Sequence, residues 1–313
     1  MFAPCGFRPA SFRRFFISLF FLLAVAFFLV AAPLPAASSI SVSSLIARAN
    51  SGESGAQYLL GEFLLQVQPS ANGFPEALAW LRAAAARQNP RAQFFLGYLF
   101  EHGHGVPRDY QQAAENYQAA TRSGHRIAPN NLANLYQLGL GVQRDLSKAV
   151  ELYRLAADRG DPVAQYNLAA CLDLGLGVSS DLVQAARWYR AAADQGLAAA
   201  QHRLGVLYVR SLGVPRDSVQ GARWVKLAAE SHLPAAETDL AFLYQSGCGL
   251  PLDYVASYFW YSRAIADGEH SAVSLRKSLA QLMTRTQIDR AKTYHSGSTG
   301  AVDQAQASYF SNR

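Results

Sequence analysis

Five aspartates spaced 36 residues apart are the residues of this chain that most resemble a chemical signature. They are Asp109, Asp145, Asp181, Asp217 and Asp253. Regularly placed carboxylates could bind a metal ion or transfer protons. Each one, however, directly precedes a helical pattern, and three are followed three residues later by Gln112, Gln184 and Gln220, which is the spacing of a capping box. We therefore interpret this column as helix N-caps and not as metal ligands or acid–base groups.

Paired glycines a few residues before these aspartates suggest a second kind of chemistry, the binding of a phosphate group. Examples are Gly103 with Gly105 and Gly139 with Gly141. A phosphate-binding loop follows a β-strand and is followed by lysine and serine or threonine, and the sequence has neither feature here. The glycines are therefore predicted to form turns between helices.

Histidines and cysteines offer no further site. His102 and His104 lack a third ligand nearby in sequence, so both are expected to be solvated. Cys171 and Cys248 lie in different repeats, too far apart for a disulfide, and Cys171 is expected to be a small core residue. Because no catalytic motif can be located, the chain is not predicted to be an enzyme, and no cofactor or metal is expected.

The whole chain is organised by the same 36-residue period. Counting Ala164 as offset zero, the copies begin at Ala56, Ala92, Ala128, Ala164, Ala200 and Ala236. Offset 4 is leucine and offset 28 is alanine in every copy. A period of this length indicates a repeat array, here six copies over residues 56–271.

Each copy carries two amphipathic helical patterns. Helix A covers offsets −2 to about +10, and its apolar offsets 0, 4, 7 and 8 form one stripe toward the stack. Helix B begins after the aspartate at offset 17 and ends near offset 32, where glycine is common. The fold class is predicted to be all-α, with antiparallel helix pairs stacked into an α-solenoid.

The two ends differ from the repeats. Residues 1–37 contain Arg13, Arg14, an uncharged apolar run and then prolines and small residues, the pattern of a secretory signal peptide. Cleavage is expected near Ala36 to Ser39; an uncleaved membrane anchor and twin-arginine export are the alternatives. Residues 38–55 are interpreted as a linker and a degenerate half-repeat, 272–294 as a C-terminal capping helix and 295–313 as a flexible tail.

The repeated unit, seen most clearly in AQYNLAACLDLGLGVSSDLVQAARWYRAAADQGLAA at 164–199, resembles the Sel1-like repeat. The agreement extends over roughly residues 44–294 and includes the glycine turn, aspartate, Trp-Tyr and Ala-Ala positions. The resemblance implies a right-handed α-solenoid used for protein–protein contacts, often in bacterial cell-envelope or secretion-linked regulation. A cysteine-rich subfamily is linked to β-lactam hydrolysis, but this chain lacks the paired cysteines.

Helix A also has a face that points away from the predicted stack, at offsets 2 and 6. By resemblance to tetratricopeptide arrays, this inner face lines a concave groove. Its residues vary between copies, and the aromatic rings, amides and histidine among them are predicted to bind a partner protein or peptide. These candidates are Tyr58, Phe94, Tyr98, Asn130, Asn134, Tyr166, His202 and Phe242.

The sequence favours an exported, monomeric interaction scaffold located in the periplasm or secreted. The net charge of +6 falls to +3 if the segment with Arg8, Arg13 and Arg14 is removed, and no basic patch favours nucleic acid. The alternatives are a hydrolase acting on cell-wall or β-lactam-like material and a membrane-tethered structural protein that binds glycan or lipid. Membrane contact is expected only through the N-terminal segment.

Overall fold

The computed structural model describes residues 41–67 and 74–294. Over these residues all regular structure is α-helical, as the sequence predicts. The predicted signal segment 1–37, the start of the linker and the tail 295–313 lie outside the described residues. The fifteen described helices are α1 (Val42–Asn50), α2 (Ser54–Val67), α3 (Phe74–Ala86), α4 (Pro90–His102), α5 (Tyr110–Arg122), α6 (Ala128–Leu138), α7 (Leu146–Asp158), α8 (Pro162–Leu174), α9 (Leu182–Asp194), α10 (Ala198–Arg210), α11 (Ser218–Glu230), α12 (Pro234–Ser246), α13 (Tyr254–Ala266), α14 (Ala272–Ala280) and α15 (Arg285–Lys292).

The described chain divides into two compact units. Unit N contains residues 41–192, and unit C contains residues 193–294. In unit N, helices A and B of one copy pack as α2 with α3, α4 with α5 and α6 with α7. In unit C the corresponding pairs are α10 with α11 and α12 with α13. The helix pairs predicted from the period are therefore present in both units.

The aspartate column caps helix B, as predicted. The Asp109 carboxylate accepts hydrogen bonds from the backbone N–H groups of Gln111 and Gln112, both at 3.0 Å. In a complete capping box, the side chain three residues later would also accept a hydrogen bond from the backbone N–H of the cap residue. Here the Asp109 backbone N–H donates instead to the Phe100 carbonyl of helix A, at 2.9 Å. The same backbone bond recurs at the other four aspartates. Each cap residue therefore also fixes the turn between the two helices.

The paired glycines have two separate structural roles. The first, such as Gly139, ends helix A in the left-handed conformation, with φ at 70°. The second, such as Gly141, packs against the start of the preceding helix B, where an added Cβ would lie 2.2 Å from the Tyr110 carbonyl carbon. Glycine at the second position is therefore required for close packing between copies as well as for its positive φ.

The core of both units consists of the recurring apolar columns. Alanine at offsets 0 and 28 is fully buried in all six copies, and so is the residue at offset 25, which is tyrosine in four of them. Glutamine at offset 1 joins successive copies: Gln93 donates to the Ala85 carbonyl and Gln165 to the Ala157 carbonyl, at 3.2 and 3.3 Å. Cys171 is buried in this core and unpaired, as expected.

The C-terminal segment differs from the single capping helix that the sequence predicts. It forms two short helices, α14 and α15, which both pack on α13. Thr284 is the N-cap of α15 and forms a complete capping box with Gln287. The chain therefore begins a new helix here and does not continue α14. None of the helices in the described ranges combines the length and apolar character needed to cross a membrane.

Candidate partner-binding surface

The predicted inner face of helix A is only partly open. Tyr58, Phe94, Tyr98, Asn134, His202 and Phe242 are half-buried. Asn130 and Tyr166, by contrast, expose only 4% and 6% of their surface, so the prediction that they line an open groove is wrong. The physical reason is that Asn130 bonds to Asn167 of the next helix A, whereas the Tyr166 ring packs on Tyr189 of helix B.

Polar bonds between successive copies account for two of the predicted residues. In unit N, Asn167 donates from Nδ2 to Oδ1 of Asn130 at 2.9 Å. In unit C, Nε2 of His202 lies 2.8 Å from Oδ2 of Asp239. Both bonds join offset 2 of one copy to offset 3 of the next. These side chains therefore fix the packing of adjacent helices A.

Two further predicted residues contact the tyrosine column of helix B. The ring centroids of Tyr166 and Tyr189 are 5.5 Å apart. The Tyr153 hydroxyl lies 2.6 Å from Oδ1 of Asn134 and also 2.6 Å from Oε1 of Gln137. Tyr166 and Asn134 thus contribute to packing within a copy.

The second copy keeps a group of rings accessible. Tyr98 stacks on His102 with the ring centroids 4.2 Å apart, and the exposed His104 lies 5.7 Å from both rings. Nδ1 of His102 is 3.0 Å from the Tyr98 carbonyl oxygen. Tyr58 and Tyr98 pack against the same buried cluster. We name Tyr58, Tyr98, His102 and His104 the ring surface. His102 and His104 are therefore stacked rather than simply solvated.

Phe94 belongs to a neighbouring contact in the same copy. Its ring stacks on His125 with the centroids 4.3 Å apart. Burial, assisted by the positive charges of Arg91, Arg126 and Arg159, lowers the pKa of His125 to about 4. Nδ1 of His125 accepts a hydrogen bond from the Ala128 backbone N–H at 3.2 Å. Only a neutral imidazole has a ring nitrogen that can accept, so this bond agrees with the lowered pKa.

The ring surface offers aromatic contact area and hydrogen-bonding groups. Cys171, the natural candidate for a nucleophile, is buried, and burial raises the pKa of its thiol to about 12. The tyrosine hydroxyls of the core are also held neutral, because burial raises the pKa of Tyr117 and Tyr153 well above the usual value. The arrangement is suited to binding.

Unit C contains a titratable cluster that the sequence motifs do not predict. Nδ1 of His232 lies 3.1 Å from Oδ2 of Asp267, and the buried Glu237 lies beside them. Nε of Arg263 is 2.8 Å from Oε1 of Glu237. Burial, together with the Asp267 carboxylate, raises the pKa of Glu237 to about 7, against the lowering effect of Arg263. The sequence feature that points to this cluster is a pair of exceptions to the repeat. His232 replaces the glycine usual at offset 32, and Glu237 replaces the glutamine usual at offset 1.

Two solved structures resemble this chain in both sequence and fold. The antigen c5321 of uropathogenic Escherichia coli is 31% identical over 81% of this chain, with a TM-score of 0.74. A Sel1 repeat protein from Oxalobacter formigenes is 28% identical over 70% of this chain and 88% of its own length, with a TM-score of 0.64. The chain spans about half, 55%, of the c5321 chain. No protein with a curated description matches it.

The Sel1 repeat model matches six successive segments of the chain. They are residues 54–89, 90–125, 128–161, 162–197, 198–232 and 234–269. Sel1 repeat proteins generally mediate protein–protein interactions, and their fold is typically a non-catalytic scaffold. With its six matched segments, helix pairs and 36-residue period, the chain belongs to the Sel1 repeat family.

Proposed function

We propose that this protein is an exported interaction scaffold of the bacterial cell envelope that binds a partner protein or peptide through the ring surface of Tyr58, Tyr98, His102 and His104. The observation that carries this proposal is the accessible stack of Tyr98, His102 and His104. At the corresponding offsets the other copies do not repeat this set of rings. Variation among repeated positions favours a role in recognition, because the fold requires only the recurring columns.

The chemistry of the ring surface suits an extended peptide. Aromatic rings supply large contact areas with few rotatable bonds, and they dominate the energetics of many interfaces. Glu62 lies close to the Tyr58 hydroxyl, so an acidic group borders the rings. A partner that presents apolar side chains and backbone amides fits this surface better than nucleic acid does, since the surface has no cluster of basic residues.

Capture of a partner from an envelope extract tests the ring surface. The wild-type protein, Tyr98→Ala and His104→Ala would be immobilised in equal amounts and the retained proteins compared by mass spectrometry. We expect one or more proteins to be retained by the wild type and lost with both variants. His270→Ala is the matched control, because it removes an exposed histidine of unit C. Equal retention by all four proteins would contradict the assignment.

Export is a separate part of the proposal and rests on the pattern of residues 1–37. N-terminal sequencing of the protein isolated from its native cells tests it. A mature start near Ser38 supports secretion with cleavage of the signal peptide. An intact N-terminus in the membrane fraction supports the anchored alternative, and an intact N-terminus in the cytoplasmic fraction contradicts export.

A further inference from the structure

Two residues that depart from the repeat pattern meet a third titratable residue at one place in unit C. Glutamine occupies offset 1 in four copies, but the sixth copy has Glu237. Offset 32 is glycine in most copies, but His232 is found in the fifth. The third residue, Asp267, lies at offset 31 of the sixth copy, directly after α13. One nitrogen or oxygen from each of the three side chains lies within 4.8 Å of the others. Their coincidence in space is not required by the fold, since the other copies form the same junction without it.

The Glu237 side chain is the most unusual member of this cluster. It is fully buried; its Oε1 is paired with Arg263, and its Oε2 accepts no hydrogen bond. In the preceding copy, Gln201 uses the same position to donate to the Ala193 carbonyl at 3.3 Å. A carboxylate cannot donate in this way, so the substitution removes a bond between copies. A buried carboxylate with one oxygen unbonded requires a further source of stabilisation.

Arg263 supplies only part of that stabilisation. Its Nε lies 2.8 Å from Oε1 of Glu237, but Asp267 adds a second carboxylate on the other side. Two carboxyl groups thus share a single guanidinium, so the cluster contains more acidic than basic groups. One carboxylate oxygen of Glu237 lies within 4.8 Å of the donor atoms of His232 and Asp267. The charge balance therefore favours a bound cation.

The donor set indicates the kind of cation. One imidazole nitrogen and two carboxylate oxygens suit zinc and related divalent transition metals, and three protein ligands leave a position for water. Around a tetrahedral Zn²⁺ ion with bonds of about 2.0–2.2 Å, ligand atoms lie roughly 3.3–3.6 Å apart. Nδ1 of His232 and Oδ2 of Asp267 are already 3.1 Å apart. The His232 side chain is 70% exposed, so it can rotate to complete the site and gives the ion a route from solvent.

We propose that His232, Glu237 and Asp267 bind a divalent transition-metal ion of the Zn²⁺ type. The ion would join the turn before α12, the first turn of α12 and the end of α13. Its expected role is to stabilise the packing of α12 and α13, the last helix pair of the repeats, because the three ligands come from three separate points of the chain. The site is independent of the ring surface, which lies in unit N.

Isothermal titration calorimetry with ZnCl₂ tests the site on untagged protein purified after expression of the full chain. We expect one Zn²⁺ per chain. Changes to groups outside the first coordination sphere cost about 10–100-fold in metal affinity, so loss of a ligand should weaken binding at least about tenfold. The decisive variants are Glu237→Gln and His232→Gly, which restore residues that other copies use at these offsets and should therefore fold. His270→Gln should bind like the wild type.

Thermal unfolding gives a second readout that does not depend on heats of binding. A ligand that binds only the folded state raises the Tm as its concentration increases. The Tm of the wild type should rise with ZnCl₂ and return to its starting value with EDTA, whereas the Tm of Glu237→Gln should not respond. Absence of Zn²⁺ binding by the wild type, or equal binding by Glu237→Gln and His232→Gly, would overturn the proposal.

Discussion

The buried Tyr117 hydroxyl donates a hydrogen bond to Oε2 of Glu101 at 2.5 Å, joining helix B to helix A within the second copy. The same hydroxyl accepts a bond from Nδ2 of Asn131 at 3.2 Å. Burial raises the pKa of the Glu101 carboxyl, and the bond from Tyr117 opposes that increase. This pair therefore satisfies two polar groups that would otherwise be costly to bury.

The relationship recurs wherever offset 25 is tyrosine. Offset 9 then carries an acceptor: Tyr189 donates to Asp173 at 3.2 Å, and Tyr261 donates to Gln245 at 3.1 Å. In the first and fifth copies both positions are apolar, with Leu65 and Leu81 in one and Val209 and Val225 in the other. The two positions therefore change together, because a buried hydroxyl requires a partner and a buried apolar side chain does not.

Tyr117→Phe should destabilise the protein by about 1–3 kcal/mol, since it leaves the Glu101 carboxylate without its donor. Urea unfolding followed by circular dichroism measures the change. Glu101→Gln is the matched control: it keeps an acceptor, and Gln137 and Gln245 occupy the same offset in other copies. It should cost much less than Tyr117→Phe. Similar losses for the two variants would show that the hydrogen bond is not the cause.

Gly97 determines how closely helix A approaches the Tyr117 ring. A Cβ at this position would lie 2.7 Å from Cδ1 of Tyr117, which is closer than packing allows. Gly97→Ala should therefore destabilise the protein by about 1–3 kcal/mol through overpacking. Gly55→Ala is the control, because the nearest atom to its added Cβ is 3.9 Å away. That variant should be stabilising by about 0.4–1 kcal/mol. Equal effects on the urea midpoint would contradict the packing argument.

Asp109 provides a test of the aspartate column. Asp109→Ala removes a side chain that accepts two backbone hydrogen bonds at the start of α5. The expected loss is about 1 kcal/mol in the free energy of unfolding, measured with urea. Asp109→Asn should retain most of the stability, since asparagine caps helices as well as aspartate does. An Asp109→Asn variant as unstable as Asp109→Ala would indicate that the charge, and not the cap, is what matters.

The sequence predicts those features that depend on a single copy. The aspartate caps and the buried alanine and leucine columns follow from local spacing, and the structure confirms them. The inner face is less predictable, because a helical wheel describes one helix and omits its neighbours. Asn130 and His202 bond to residues 37 positions away, in the next copy. Only the three-dimensional packing of helices A shows these contacts.

The cluster in unit C could not be predicted for a related reason. His232 and Asp267 are 35 residues apart in sequence, and each alone is an ordinary surface residue of a turn. Glu237 is a conservative-looking replacement of glutamine, and its meaning depends on burial. A comparison of each copy with its own columns would have identified His232 and Glu237 as exceptions. It would not have shown that they meet.

His125 predicts a specific dependence of stability on pH. Its folded pKa of about 4 lies below the unfolded value of about 6.5, so protonation favours the unfolded state. The stabilisation from the neutral ring is present above pH 6.5 and is lost as the pH falls toward 4. The urea midpoint should therefore fall more steeply over this range for the wild type than for His125→Gln. The exposed His270, changed in His270→Gln, is the matched control and should leave the wild-type slope in place. Parallel curves for the wild type and His125→Gln would contradict the assignment of a neutral, half-buried His125.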